Sequence, residues 1–231
     1  MNRKVKIVVV TVVLLFIFIG IFFIGKKISL NSYLDNTDKY SSKINYSSSY
    51  ILNIESATSK SKMEYSIART SGIKNIIINK YDDEELTSSI NKYLVTKNNK
   101  TECYSKDGDE YKVSCSNKED FKLDYNKLKN SIIKIKKADR EVINGISYKK
   151  YTVLMKKSDA YNLIYEKDIM SEKDLPGNVD VKIYVDKSKS FVYKIDYVID
   201  NLSNDKANNI KYYVEITNYD INNNNVIKLP F

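Results

Sequence analysis

The chain has 231 residues, with 38 lysine and arginine residues against 29 aspartate and glutamate residues, a formal net charge of +9, and no histidine. Without histidine, the usual zinc sites and the Ser-His and Cys-His catalytic triads are excluded. Lysine alternates with acidic residues along most of the chain and does not form one basic stripe. This pattern argues against a nucleic-acid-binding protein and favours a solvated surface of mixed charge.

An apolar segment at residues 7–24 contains no charged residue. As a helix it would be about 27 Å long, which is enough to cross the hydrocarbon core of a bilayer. Three basic residues precede the segment and two follow it, and with the terminal amino group they favour a cytoplasmic N-terminus. We therefore predict a transmembrane anchor over residues 1–27 of a single-pass plasma-membrane protein whose C-terminal part is extracytoplasmic.

A cleaved signal peptide would begin in the same way, but its apolar core is usually only about 7 to 15 residues long and small residues follow it. Here Gly25 is followed by Lys26 and Lys27, and the only cysteines are Cys103 and Cys115, so no lipidation cysteine is present. These features favour an uncleaved anchor. Without the five basic residues that flank the anchor, 33 basic and 29 acidic residues remain, a net charge of +4.

Residues 28–46 are rich in serine and asparagine and show no sustained hydrophobic period, which predicts a polar tether. The remaining residues, 47–231, are enough for one domain with a substantial core. No fixed-period repeat and no Pro/Gly-rich break divides them. We expect this segment to form one extracytoplasmic β-rich domain.

Apolar and polar residues alternate most clearly in the C-terminal third of the chain, over residues 179–186, 191–199 and 210–216. A period of two is typical of strands with one wet face, so these segments predict an antiparallel meander. Further upstream, the pair Asn144-Gly145 favours a type I′ hairpin because both residues adopt positive φ readily.

Residues 50–57 and 62–79 contain apolar and β-branched runs and are also predicted strands. Three segments fit helices better, residues 82–94, 122–138 and 158–168, because apolar residues recur there at helical spacing. Four acids open the first of these segments, where they would cap the helix. Calcium binding is the alternative, but consecutive side chains on a helix diverge. The predicted fold class is α+β, mainly antiparallel β.

The two cysteines, Cys103 and Cys115, are symmetric about Asp109 and flank an Asp107-Gly108 turn signal. A hairpin would bring them face to face, and a disulfide closing this short loop would contribute about 3 kcal/mol. Redox pairs usually have C-x-x-C spacing, and a metal site needs more cysteine or histidine ligands than this chain contains. In an exported domain we predict a structural disulfide between them.

The order of elements resembles a known superfamily. An N-terminal anchor precedes a strand-rich domain with the hairpin VDVKIYVDKSKSFVYKIDYVID at residues 179–200, the strand YYVEITNYD and a terminal VIKLP. This order resembles the LolA- and LppX-like half-barrel lipoprotein carriers over residues 46–231. The resemblance implies a curved antiparallel sheet with two or three short helices, and acyl chains bound in its concave face. The chain departs from lipidated members because it lacks their cysteine.

The lipid hypothesis predicts that one face of the meander lines an apolar cavity that the helices do not fill. The possible ligand-face residues are Val181, Ile183, Tyr193, Ile195, Tyr212 and Val214. The alternative for the same residues is an ordinary filled core, the usual role of an apolar strand face.

Two other classes of function stay open. A non-enzymatic module that binds protein or glycan would use a tyrosine-bearing polar face, for which the candidates are Tyr148, Tyr151, Tyr184, Tyr212 and Tyr213. An enzyme with two carboxylates is the third class, but no local motif predicts a cleft, so we name no catalytic residue, metal or cofactor. We expect a non-enzymatic binding domain of a bacterial cell envelope.

Overall fold

The structure is a computed structural model of the chain. It describes residues 30–41, 45–70, 72–98, 100–107, 110–113, 123–165, 169–200, 209–222 and 226–230. The predicted anchor, residues 1–27, lies outside the described residues. Within these ranges no helix has the length and apolarity that a membrane crossing needs.

The described residues form eleven strands of one open, curved, antiparallel sheet. The chain first adds strands outward from β1 to β6, crosses to the opposite edge at β7, and returns inward to β11. The pairing of β1 with β11 therefore joins two meanders at the centre of the sheet. The bounds are β1 Tyr46–Glu55, β2 Lys60–Thr70, β3 Ile73–Asp82, β4 Glu85–Lys97, β5 Lys100–Asp107, β6 Glu110–Val113, β7 Lys134–Ile143, β8 Ile146–Lys156, β9 Asn178–Asp186, β10 Phe191–Ile199 and β11 Lys211–Tyr219.

The predicted C-terminal meander and the predicted hairpin are both confirmed. In β9, Val179, Val181 and Ile183 are buried whereas the residues between them are exposed, as a strand with one wet face requires. Strands β9, β10 and β11 pair in sequence order. Between β7 and β8, Asn144 and Gly145 have φ angles of 51° and 79°, the positive values that a type I′ turn needs.

The predicted helix at residues 82–94 is wrong, because this segment is the turn and strand β4. Asp83 and Glu84 have φ angles of 49° and 74° and form the turn between β3 and β4. The side chain of Asp83 accepts a hydrogen bond from the backbone of Lys60 at 2.9 Å. Leu86 and Ile90 are 56% and 42% exposed, so their helical spacing did not mark a buried helix face.

The other two predicted helices are shorter than expected. Helix α2 spans Tyr125–Ser131, begins where the Asp124 side chain accepts from the backbone of Lys127, and gives way to strand β7. The prediction of one helix over residues 122–138 is therefore wrong beyond residue 131. Helix α3 spans Lys157–Ile164 and confirms the described part of the third prediction.

A further helix, α1, occupies residues 30–41 and corrects the predicted tether over that range. Its Leu30 and Leu34 are almost fully buried in the main core, so the segment belongs to the folded domain. The sequence showed no period because only a few apolar residues face the sheet. The hydroxyl of Thr37 accepts a hydrogen bond from the backbone of Val192 and ties α1 to β10.

All three helices pack on one face of the sheet, which we call the inner face and which carries Leu52, Ile195 and Val214. The hydroxyl of Tyr197, on the same face, donates to a backbone carbonyl of α3 at 3.1 Å. Asn218 contacts the Tyr125 hydroxyl of α2 at 2.8 Å. The opposite, outer face carries paired charged residues, and the main core therefore lies between the inner face and the helices.

Candidate functional site

An apolar cavity of about 110 Å³ lies on the inner face, between the central strands and the C-terminal end of α3. Strands β1, β2 and β11 form its floor. Its lining residues are Tyr50, Ile51, Leu52, Met63, Tyr65, Ile164, Tyr165, Val214, Glu215 and Ile216.

Strand register explains why these residues meet. Tyr50 lies opposite Tyr65 on β2 and opposite Ile216 on β11. In the next row, Leu52 lies between Met63 and Val214. Because directly paired residues project to the same face, the two rows form one apolar floor three strands wide.

Glu215 is the one charged residue among those that line the cavity, and its carboxylate lies on the other side of the sheet. The carboxylate accepts a hydrogen bond from Lys194 at 2.7 Å. On their strands, Glu215 follows Val214 and Lys194 precedes Ile195, and both of these neighbours point to the inner face. The contribution of Glu215 to the cavity is thus its backbone, since successive strand residues point to opposite faces.

Three tyrosines, Tyr161, Tyr165 and Tyr212, form what we call the tyrosine cluster at the edge of the cavity. The ring centroids of Tyr161 and Tyr165 are 5.0 Å apart, and those of Tyr161 and Tyr212 are 5.6 Å apart. Tyr165 also lines the cavity and is 36% exposed, so the cluster connects the cavity with solvent.

The phenols of Tyr161 and Tyr165 are held in their uncharged form. Burial, followed by the influence of Tyr212, raises the pKa of Tyr161. Burial and the neighbouring Tyr212 also raise the pKa of Tyr165 well above the ordinary value. Both hydroxyls are therefore neutral groups that donate and accept hydrogen bonds.

The end of α3 is held in place by the side chain of Asn162. Its Oδ1 accepts from the backbone nitrogens of Ile169 and Met170, both at 2.9 Å, and its Nδ2 donates to the Met170 carbonyl at 2.7 Å. Asn162 is 4% exposed, so these bonds lie inside the protein. They tie the last turn of α3 to Ile169 and Met170.

The six predicted ligand-face residues do not share one environment. Val214 lines the cavity, and Tyr212 belongs to the tyrosine cluster at its edge. Three of the six are aliphatic residues on β9 and β10. They are at most 1% exposed and lie in the main core, which agrees with the alternative of an ordinary filled core. These residues are Val181, Ile183 and Ile195.

Tyr193 lies apart from the other five because the pairing of β9 and β10 shifts between Val192 and Lys194. This irregularity interrupts the alternation that the sequence pattern implied. The ring of Tyr193 stacks on Tyr148, whose centroid is 4.1 Å away.

Sequence reasoning missed the part of the cavity that β1, β2 and α3 supply. The alternation in YILNIES and the apolar residues Met63 and Tyr65 indicated strands, but they did not indicate which other strands lie beside them. The pairing of β1 with β11 joins residues more than 150 positions apart, and no local pattern encodes it.

Only Cys103 of the predicted disulfide can be described, because Cys115 lies outside the described residues. Cys103 is 1% exposed on β5 and is not a free thiol. A hairpin of β5 and β6 is present, with Tyr104 opposite Val113. Its centre lies between residues 108 and 109, not at Asp109. The pairing of Cys103 with Cys115 stays a prediction.

The tyrosines proposed for an interaction face are mostly buried. Tyr148, Tyr151 and Tyr184 are at most 5% exposed, whereas Tyr212 and Tyr213 are partly exposed. Two open grooves of about 450 and 340 Å³ involve outer-face residues and share Asn53 and Lys62. Across the described ranges, no three His, Cys, Asp or Glu side chains are grouped as metal ligands.

Comparison with known proteins finds no matching family model and no matching curated protein. The crystal structure of LprF from Mycobacterium bovis is similar, with 11% identity, 87% of this chain and 96% of that chain covered, and a TM-score of 0.48. The lipoprotein LppX from Mycobacterium tuberculosis gives 10% identity, coverage of 86% and 98%, and a TM-score of 0.45.

A DUF1329 family protein from Desulfovibrio piger gives 10% identity, coverage of 86% and 93%, and a TM-score of 0.22. The similar structures thus include LppX, a member of the group that the sequence resembles. At these identities and scores the likenesses concern the path of the chain and carry no information on a ligand.

Proposed function

We propose that this protein is a membrane-anchored, extracytoplasmic binding domain that holds the hydrocarbon chain of a lipid in its inner-face cavity. The apolar cavity at the centre of the sheet carries this proposal. The predicted anchor at residues 7–24 supplies the location. It would keep the domain beside the bilayer, where such ligands are found.

The lining favours hydrocarbon over a polar ligand. Leu52, Val214 and Ile216 offer no hydrogen-bonding side-chain group, and each methylene group removed from water contributes about 0.8 kcal/mol. The side chain of Met63 adds an adaptable wall, since its unbranched thioether fills irregular gaps. A ligand would therefore be held mainly by burial of apolar surface.

The volume sets how much of a chain fits without rearrangement. About 110 Å³ is less than the roughly 150 Å³ of an engineered apolar cavity that admits benzene. The closed cavity therefore takes the end of one alkyl chain. A longer segment requires displacement of Tyr165, which lies at the C-terminal end of α3, outside regular helix geometry.

The proposal is tested by extracting lipid from the full chain after purification from its membrane and identifying the extract by mass spectrometry. Val214→Phe fills the cavity and should reduce the recovered lipid several-fold. The matched control is Val198→Phe on β10, because Val198 is 43% exposed and alternates to the outer face. Equal recovery from the two variants would contradict the proposal.

A second candidate function is supported by the outer-face grooves. There the hydroxyl of Tyr81 donates to Glu64 at 3.1 Å, and burial together with the neighbouring Glu55 raises the pKa of Tyr213. Tyrosines fixed beside carboxylates and Asn53 offer aromatic surface and hydrogen bonds to a glycan or protein of the envelope. Ligand-free chain from the extraction experiment, with binding to envelope material lost on Tyr213→Ala, would favour this function over lipid binding.

A further inference from the structure

We infer that the tyrosine cluster is the entrance to the cavity, where three phenol hydroxyls beside an apolar wall select a single-chain amphiphile with an uncharged hydrogen-bonding head. A long-chain alcohol or a monoacylglycerol has this chemistry. The inference rests on the proposed function and adds the class of ligand to it.

The cluster is placed where a ligand head would lie. Tyr165 lines the cavity and its ring contacts the ring of Tyr161, which in turn contacts the ring of Tyr212. Tyr212 comes from β11, the strand that also supplies Val214 and Ile216 to the cavity floor. A chain that enters here passes between polar hydroxyls before it reaches apolar side chains.

Entry of a chain has a cost that a suitable head can offset. The centroids of the contacting rings lie 5.0 to 5.6 Å apart, so an alkyl chain must separate the rings and take water away from their hydroxyls. A partly buried hydroxyl left without a partner is unfavourable by roughly 1 to 3 kcal/mol. An alcohol, ester or amide head gives those hydroxyls a hydrogen-bond partner, whereas a plain hydrocarbon does not.

Charge distinguishes the neutral head from an anionic one. Among the described residues that line the cavity there is no lysine or arginine, and Glu215 points its carboxylate to the outer face. An anionic carboxylate or phosphate at the cluster would lose solvation and would gain no cation from the described residues that line the cavity. The cluster thus favours heads that donate or accept hydrogen bonds without carrying charge.

The width of the cavity limits the number of chains. Its floor spans three neighbouring strands, which are about 4.8 Å apart, and α3 closes the space above them. Two alkyl chains side by side would have to displace Ile164, which is 4% exposed and packed in the main core. One chain needs the movement of Tyr165 alone.

The test uses the full chain reconstituted in phosphatidylcholine vesicles and three photoactivatable probes with the same long alkyl chain. One probe ends in an alcohol, one in a carboxylate and one in a methyl group. After illumination, mass spectrometry quantifies the labelling of peptides that contain Met63 and Tyr165. Wild type is compared with the triple variant Tyr161→Phe, Tyr165→Phe and Tyr212→Phe.

In wild type, the alcohol probe should label these peptides about three- to tenfold more than either of the other probes, the ratio that one net hydrogen bond supports. The triple variant should bring the three probes to similar labelling. Tyr81→Phe is the control, because Tyr81 has a bonded hydroxyl but lies away from the cavity. If the triple variant loses its thermal unfolding transition, Tyr165→Phe alone, at a partly exposed position, replaces it.

Equal labelling by all probes in wild type, or an unchanged preference in the phenylalanine variant, would overturn the head-group inference and leave the lipid cavity standing. Preference for the carboxylate probe would do the same and would indicate a cation at the entrance. Absence of labelling from every probe in the cavity peptides would overturn the proposed function together with this inference.

Discussion

Tyr148 and Tyr193 stack face to face, with ring centroids 4.1 Å apart and ring planes inclined by 14°. Neither is adjacent in sequence to the other, and they meet because β8 and β10 both pair with β9. The irregularity between Val192 and Lys194 makes this contact possible, since it takes Tyr193 out of the alternation of its strand. With a regular alternation in β10, Tyr193 would point to the inner face, and Tyr148 would lack this aromatic partner.

The stack predicts a loss of stability in alkali. Burial, with the neighbouring Tyr193 and Asp186, raises the pKa of Tyr148 to about 12, against an ordinary value near 10. The folded protein holds this proton more tightly than the unfolded chain does. The associated stability is complete below pH 10 and is lost as the pH rises from 10 to 12.

The comparison of wild type with Tyr148→Phe isolates this effect. Between pH 10 and 12 the Tm of wild type should fall more steeply than that of the variant, because lysines and the other tyrosines titrate in both. Circular dichroism of the full chain measures the two slopes. Parallel slopes would show that the proton on Tyr148 is not linked to folding.

Asn218 is predicted to be the most sensitive buried polar residue of the inner face. Its amide donates to the Tyr125 hydroxyl at 2.8 Å and to the Val192 carbonyl at 2.9 Å, and its oxygen accepts from Ser48 at 2.9 Å. Asn218→Leu should destabilise the fold by about 2 to 4 kcal/mol, since three buried groups lose a partner. Tyr125→Phe removes one of these bonds and should have a clearly smaller effect in thermal unfolding. The opposite order would contradict this account.

Two glycines should differ in their tolerance of alanine. Gly72 and Gly145 both have a φ angle of 79°, but a methyl group at Gly72 would lie 3.1 Å from the carbonyl oxygen of Thr96, whereas Gly145 has open space. Gly145→Ala should cost about 1 kcal/mol for the backbone conformation alone. Gly72→Ala should lower the Tm further because the close contact is added. Similar shifts in Tm for the two variants would show that the contact near Thr96 relaxes freely.

The cysteines yield a prediction about redox state. If Cys103 and Cys115 are bonded, the oxidised chain should resist a thiol-alkylating reagent even when unfolded, and reduction should expose two alkylation sites. Reduction should also lower the Tm, by an amount corresponding to about 3 kcal/mol for a loop of this length. The variant with both cysteines replaced by serine serves as the control for the reagent. Alkylation of Cys103 in unfolded, oxidised chain would contradict the predicted pairing.

Local patterns were sufficient for those parts of the sheet where each strand has one wet and one buried face. Val179, Val181 and Ile183 show that alternation directly, and Asn144-Gly145 shows the turn. The segment at residues 82–94 was misread as a helix because Leu86 and Ile90, which lie on β4, fit a helical spacing by chance. Its pairing with β3 outweighs that local preference, as tertiary context often does for strands.

Sequence by itself determined the class of fold, the order of the C-terminal strands and the expectation of an anchor, because hydrophobic period and turn chemistry are local properties. Only the tertiary structure decided where a cavity lies. Tyr50 and Leu52 meet Ile216 and Val214 through the pairing of the first strand with the last, and Tyr165 reaches them from a helix. Such a site depends on contacts between distant segments and on strand register, neither of which a sequence pattern encodes.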